Sequence, residues 1–195
     1  VVSAGMNRQG DYLSEKHVSL QARRPEDIVT LQTMLYDDLQ TRARADTRAW
    51  QPIPPDPDLS PYAVKALADD VAFFSIVTTA DGELVGEALL WGIDLHNRVA
   101  HIGLAILPAF RGRGWSVEVL QLLCRYGFAV RGLNRLQFET HAENAAMIRA
   151  GTRAGFLKEG VLRQAAWAVG SFADCVVMGL LAEEWRAASS GTRSV

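Results

Sequence analysis

The chain has 195 residues, 49% hydrophobic and 22% charged, with a net charge of −2. That is the size of one domain with a sizeable core, and the balance excludes a wholly disordered or collagen-like chain. The near-neutral charge excludes a global basic field for nucleic acid, and the longest apolar run, residues 176–182, falls far short of a bilayer span.

Residues 1–15 are polar, without the charged start and apolar stretch of a signal peptide, and are expected to be a flexible lead. One domain is expected over residues 16–187, with a flexible tail at 188–195. Residues 17–22 alternate as a first strand. Pro25, Glu26 and Asp27 open a helix expected to reach about residue 40, since proline suits the first helical position and acids suit the first turn. Pro52, Pro54, Pro55 and Pro57 exclude regular structure around them. Ser60 and Pro61 then begin a short helix expected to end at Asp70.

Residues 71–79 and 83–93 read as strands joined by Asp81 and Gly82, a strong hairpin signal. A second turn at residues 96–98 leads to a strand at 99–107, with Ile102, Leu104 and Ile106 on one face. Residues 115–130 have helical period: Leu120, Leu123, Cys124 and Gly127 share one face, and Glu118, Gln121 and Arg125 the other. A strand at 135–141 follows, then a helix at 144–154 capped by Asn144. Strands at 157–167 and 172–181 flank residues 169–171, and a short helix closes the domain at 182–187. The strands at 99–107 and 135–141 flank a helix, so they are expected to be parallel with a right-handed crossover. The fold class is α+β, or mixed α/β: a mostly antiparallel sheet of about seven strands flanked by helices.

The two cysteines, Cys124 and Cys175, have no metal spacing and no histidine at a readable distance in sequence. They read as core residues, and a chain of this size without need of a disulfide fits a reducing cytoplasm. No metal is expected.

The stretch with most chemical content is Arg111, Gly112, Arg113, Gly114, Trp115 and Ser116. It lies between a buried strand and an amphipathic helix. Its glycines permit a tight turn, and the first helical amides have no helical partner. With the helix dipole they make an anion site suited to a pyrophosphate, and Arg111 and Arg113 add positive charge. Taken alone, Gly-x-Gly also fits an ordinary strand-to-helix turn. No dinucleotide or P-loop signature is present.

Four ordered blocks together resemble the GNAT superfamily of acyl-CoA-dependent N-acetyltransferases, and most of all its ribosomal-protein N-terminal acetyltransferase branch (RimJ/RimL-type). The family loop Gln/Arg-x-x-Gly-x-Gly/Ala corresponds to residues 111–116, with Ser116 in place of the last Gly or Ala. The strand block Ala-Glu-Ile-Gly-Tyr corresponds to Ala100, His101, Ile102, Gly103 and Leu104. The block Asn-x-x-Ser … Lys-x-Gly-Phe corresponds to Asn144–Met147 ending in Gly155 and Phe156. The tail Gly-x-Tyr/Phe-x-Asp … Glu-Trp corresponds to Gly170, Phe172, Asp174, Glu184 and Trp185. The resemblance covers about residues 17–187.

The resemblance implies a splayed parallel pair of strands whose gap takes the pantetheine arm of acetyl-CoA. Backbone groups of Leu104, Ala105, Ile106 and Leu107 would pair with that arm, as an added strand does. The amides of residues 111–116 would take the pyrophosphate. An N–H near Leu104 would stabilise the oxyanion, a contribution of about 2.7–4 kcal/mol in other acyl-transfer enzymes. Asn144 would hold the pantetheine or an ordered water while also capping its helix. The partners implied are acetyl-CoA and an amine acceptor: a protein N-terminal α-amine, or a small amine. A neutral amine attacks the thioester directly, which a general base assists. Asp94 and His101 lead as candidates for that base, and Glu139 and His141 follow. Asp94 also fits a hairpin turn, and His101 a structural role.

Met147 and Gly151 stand where relatives carry a Ser and a Tyr acid, and neither can protonate the leaving thiolate. They motivate an alternative, a GNAT fold that binds acyl-CoA with little or no turnover. Tyr36, Trp50, Trp91, Trp167 and Phe172 are candidates to line the acceptor site, and Asp37 and Asp38 could attract a cationic amine. The resemblance also allows a homodimer, with the apolar last strand pairing across subunits.

Overall fold

The computed structural model describes residues 12–45, 48–54, 56–64, 68–168 and 170–191. Strand β1 (Val18–Ala22) is followed by α1 (Pro25–Leu31), which continues as a wide π turn over Gln32–Tyr36. The helix expected to reach residue 40 breaks at Asp37 and Asp38. The Asp38 carboxylate accepts the N–H of Gln40 at 3.1 Å and so caps a new helix, α2 (Leu39–Ala45). The short helix expected from Ser60 is absent among the described residues there. Ser60 Oγ accepts the N–H of Tyr62 at 3.2 Å, a local bond that competes with helix, and Tyr62 turns into the core.

Strands β2 (Val71–Thr78), β3 (Leu84–Asp94) and β4 (Val99–Ile106) form an antiparallel meander as the turn signals require. Helix α3 (Trp115–Cys124) widens into a π turn over Arg125–Val130, and β5 (Arg135–His141) follows. The last elements are α4 (Ala145–Arg153), β6 (Leu157–Ala168), β7 (Ser171–Leu181) and α5 (Ala182–Gly191). The closing helix thus extends beyond residue 187, where the tail was expected to begin. Residues 12–15 of the expected lead are tied down: Arg125 donates to the Tyr12 carbonyl at 2.9 Å and pairs with Glu15.

The seven strands lie in the order β1-β2-β3-β4-β5-β7-β6. Among the described residues only β4 and β5 are parallel, and they pair over Val99–Arg135, Ala100–Leu136 and His101–Gln137 and no further. Beyond His101 the two strands diverge. From Ile102 to Ile106, β4 keeps its pairing with β3 and, among the described residues, has no strand on its other edge. The core that holds this wedge open is built from Leu120, Leu122 and Leu123 of α3 with Leu136, Phe138, Met178 and Leu180 of the sheet, all buried. Truncating one such leucine to alanine costs about 2–5 kcal/mol. Cys124 and Cys175 are buried free thiols, and burial pushes both up from the ordinary thiol pKa, as core residues require. Among the described residues, no helix is long and apolar enough to cross a membrane.

Candidate active site

Two cavities meet in the gap between β4 and β5. The first, about 310 Å³, is walled by the loop before α3 and the start of α4. The second, about 420 Å³, is walled by the π turn after α1, by α2 and by β3. They share Ile102, Gly103, Leu104, Ala105, Phe138 and Glu139. The gap therefore opens through the sheet from one cavity to the other.

The first cavity gathers much of the expected set. Leu104, Ala105 and Ile106 line it, as do Arg111, Ser116 and Asn144. Gly112 and Gly114 adopt φ of +79° and +80°, the left-handed region, and an added Cβ at either meets nothing within 4 Å. These glycines turn the chain and set Gly114 as the cap of α3, leaving the first amides of the helix facing outward. Arg111 Nε donates to the Ile106 carbonyl at 2.9 Å, which fixes the arginine across the mouth.

Two expectations need correction here. The Leu107 N–H donates to Val85 O at 2.8 Å and its side chain is buried, so Leu107 belongs to β3 and the core rather than to the gap. The side chains of Arg113 and Trp115, as distinct from their backbone amides, lie outside the lining: the Arg113 guanidinium sits 5.0 Å from the Trp115 ring and 5.1 Å from Phe110, and Trp115 stacks on His17.

Asn144 holds two elements together. Its Oδ1 accepts the Met147 N–H at 3.2 Å, which caps α4, and its Nδ2 donates to Thr140 Oγ1 at 3.0 Å. Gly151 explains the missing tyrosine. A Cβ there would lie 2.6 Å from Phe138 Cζ, so only glycine lets α4 approach β5 this closely.

The second cavity contains His101 and excludes Asp94. Asp94 closes the β3–β4 turn instead: its Oδ1 accepts the His96 and Asn97 N–H groups, each at 2.9 Å, and its Oδ2 accepts Asn97 Nδ2. Those bonds to Asn97 and His96 hold the carboxyl below its usual range. The sequence signal for a base there was the signal of a turn.

His101 is half-buried and stacks on Trp91, with centroids 4.2 Å apart. Its Nε2 lies 3.1 Å from Gln137 Nε2. Arg135 Nε donates to Gln137 Oε1 at 2.8 Å, which orients the amide with its NH2 toward the imidazole. The His101 Nε2 therefore accepts, and the ring proton sits on Nδ1. Burial lowers the His101 pKa, Glu139 opposes that, and Arg135 adds to it. The ring is held neutral with its lone pair occupied, a poor arrangement for direct proton abstraction.

Glu139 is the one ionisable side chain, among the described residues, that lines both cavities. His141 lines neither, and its Nε2 is buried without a hydrogen-bond partner. Of the aromatic candidates, Trp91 lines the second cavity. Tyr36 is buried and packs against Trp50 at 6.3 Å. Trp167 and Phe172 pack on each other, outside the lining of both cavities.

Arg42, Arg48 and Glu87 also line the second cavity, where no motif of the sequence placed them. Glu87 carried a signal, a charge inside an otherwise apolar strand. Arg23, with its side chain 3% exposed, holds the Glu87 carboxylate at 2.9 Å. Burial raises the Glu87 pKa, against the pull of Arg23. Arg42 and Arg48 lie in segments without periodicity, and only the fold brings them there.

A wedge between one parallel strand pair, with a glycine-turned helix start at its mouth, defines an acyltransferase fold of the GNAT type. The acetyltransferase (GNAT) domain family model matches residues 19–157, and the chain belongs to that family. It is 24% identical over 181 residues to the SPbeta prophage-derived uncharacterized N-acetyltransferase YokL of Bacillus subtilis, covering 89% of this chain and 95% of that protein. Among solved structures, a probable acetyltransferase is 26% identical with a TM-score of 0.74, covering 88% of this chain and 96% of that one. The spermidine N-acetyltransferase of Vibrio cholerae, solved with CoA and spermine, shares the fold at 17% identity and a TM-score of 0.74, over 87% of this chain and 98% of that one. The chain is an N-acetyltransferase by its family and its named relatives.

Proposed function

We propose that the protein transfers an acetyl group from acetyl-CoA to a primary amine by direct attack on the thioester. The observation that carries this reading is the meeting of two cavities at the β4–β5 gap, one for each reactant. Acetyl-CoA supplies the activated acyl group. The free edge of β4 at Leu104, Ala105 and Ile106 pairs with the pantetheine arm. The amides of residues 112–116 and the Arg111 guanidinium bind the pyrophosphate. The backbone N–H at Leu104 stabilises charge developing on the thioester oxygen. Asn144, oriented by its cap and by Thr140, positions the arm.

Glu139 accepts the amine proton, directly or through water, because it reaches the junction of the cavities. His101 stays neutral beside it and packs the acceptor wall with Trp91. The Thr140 hydroxyl accepts from Asn144, so its own O–H is free to donate a hydrogen bond to the departing thiolate, which takes its proton from the acetylated ammonium through Glu139 or from water. The four sequence blocks favour the RimJ/RimL-type branch, and the buried free thiols suit the cytoplasm.

A second reading, an acyl-CoA binder with little turnover, is favoured by Met147 and by the Phe138 contact that bars any acid at Gly151. Thiol release from acetyl-CoA, followed over a panel of peptides, polyamines and amino compounds, separates the two. Amine-dependent release establishes the transferase. Tight acetyl-CoA binding with no release across the panel supports the binder.

A further inference from the structure

The inference concerns His101, and it rests on the reading of the second cavity as the acceptor site. Glu159, Arg135, Gln137 and His101 form one chain of hydrogen bonds across β6, β5 and β4. Arg135 Nη1 donates to Glu159 Oε1 at 2.7 Å, and Nη2 donates to Oε2. The Glu159 carboxylate lies over Gly179 of β7, where a Cβ would collide with it. Arg135 Nε donates to Gln137 Oε1 at 2.8 Å, and Gln137 Nε2 lies 3.1 Å from His101 Nε2. A guanidinium only donates, so the sense of every bond is set: the amide gives its NH2 to the imidazole, and the neutral ring carries its proton on Nδ1. Bonds in such a chain polarise one another, which strengthens the last donor.

The ring also has a direction. Gln137 is drawn back toward Arg135, which stands opposite Val99, so His101 Nε2 faces the paired ends of β4 and β5. Cδ2 lies 3.6 Å from where a Cβ on Gly92 would stand, on the side of the β3–β4 turn. Nδ1 is bonded to the opposite side of Cγ and therefore faces the diverging ends of the strands, where Glu139 stands. Trp91 covers one face of the ring, with centroids 4.2 Å apart, and holds it in that direction. Nδ1 has no hydrogen-bond partner among the described residues and is not sealed from solvent. It opens on the second cavity, which His101 and Glu139 both line.

A fixed neutral N–H beside a carboxylate reads a pair of groups on one ligand. Glu139 takes a proton from an amine, and the imidazole offers one to an oxygen. A polyamine presents amines alone and leaves the Nδ1–H unmet, which a site built around a hydrogen bond penalises. We infer that His101 is a specificity-determining residue: its Nδ1–H receives an oxygen borne on the carbon next to the amine-bearing carbon of the acceptor, while the amine faces Glu139. An amino alcohol and an α-amino carbonyl compound share this chemistry. Gln137 and Arg135 are positioning residues, which act on the acceptor through the His101 tautomer.

The test is acetyl transfer to propylamine, ethanolamine and glycinamide at about pH 8, where an ordinary histidine is neutral. Each kcat/KM is referred to the unprotonated amine. An oxygen-bearing amine is expected to exceed propylamine by about five-fold or more, as one neutral hydrogen bond gives. His101→Phe keeps an aromatic ring against Trp91 and loses the donor. In it that ratio falls toward one, and acetyl-CoA affinity by calorimetry is unchanged. Gln137→Glu keeps a partner for Arg135 and turns the donor at Nε2 into an acceptor. Nitrogen NMR of the imidazole is then expected to show the proton moved from Nδ1 to Nε2, with the ratio again falling toward one. A merely structural role for Gln137 would leave the tautomer in place. Preference for ethanolamine or for glycinamide identifies whether a hydroxyl or a carbonyl fits.

Propylamine that performs as well as both oxygen-bearing amines overturns the inference. So does a preference that survives His101→Phe, or an Nε2–H tautomer in the parent. If acetyl-CoA binds and no amine turns over, the transferase reading fails separately. NMR of the CoA complex then decides: a shift of the His101 Nδ1 resonance with ethanolamine or glycinamide and not with propylamine upholds the inference, and an equal or absent shift overturns it.

Discussion

The Asn144 Nδ2 donates to Thr140 Oγ1 at 3.0 Å while Asn144 Oδ1 caps α4 through the Met147 N–H. One side chain thus fixes the start of a helix and one wall of the gap. Its two roles separate by substitution. Asn144→Ala loses both, with a cap cost of about 1 kcal/mol and weaker acetyl-CoA binding. Asn144→Asp keeps a good cap and loses the donor. Its thermal midpoint should stay near that of the parent while acetyl-CoA affinity falls. A midpoint loss equal to that of the alanine variant would contradict the division.

The turn before α3 should tolerate a side chain sterically and fail electrostatically. Gly114 has φ of +80° and open space around it. Gly114→Ala is expected to cost about 1 kcal/mol in stability for the left-handed backbone and to keep measurable acetyl-CoA binding. Gly114→Glu places a carboxylate where the pyrophosphate belongs and should abolish binding in a folded protein. Calorimetry reads both, and normal affinity in Gly114→Glu would remove the loop assignment.

Glu139 and Asp94 make opposite predictions. Glu139→Gln should lower kcat about a hundred-fold or more with acetyl-CoA affinity retained. The deficit should shrink as pH rises and the amine loses its proton unaided. Asp94→Ala should lower the thermal midpoint, because it opens the β3–β4 turn, and leave kcat/KM within about two-fold of the parent. The reverse pattern would restore the turn aspartate as the base.

The depressed His101 pKa has a signed consequence for stability. In the folded protein the ring resists protonation, because burial disfavours the cation. The unfolded chain protonates it below about pH 6.5. The histidine therefore contributes its full stability above that pH, and the contribution is lost as pH falls toward the lower, folded value. The parent should lose more in thermal midpoint between pH 7 and pH 5 than His101→Gln does. Equal slopes would mean that His101 titrates alike in both states.

Much of this architecture was legible because its causes are local. Alternation placed β4, Asn144 announced α4, and the turns at Asp81–Gly82 and at residues 96–98 set the meander. The glycines of residues 112–114 marked the mouth of the first cavity for the same reason. The misread segments are those where a local cue met a longer-range one. Asp38 caps a second helix where the Pro25–Asp27 start signal suggested a single one, and the burial of Tyr62 overrides the Ser60–Pro61 helix start. The choice of base was not legible, since it depends on where β4 and β5 part. That parting leaves Glu139 at the junction, engages His101 with Gln137, and keeps Asp94 in its turn. Arg42 and Arg48 carried no signal, because their segment meets β3 only through tertiary packing.

The most direct measurement is a crystal structure of the protein with CoA. The expected result is pantetheine lying between β4 and β5, hydrogen-bonded along residues 104–106, with the pyrophosphate over the amides of residues 112–116 and the thiol at the junction beside Glu139. CoA bound elsewhere, or a gap that closes without it, would contradict the assignment of the two cavities to donor and acceptor.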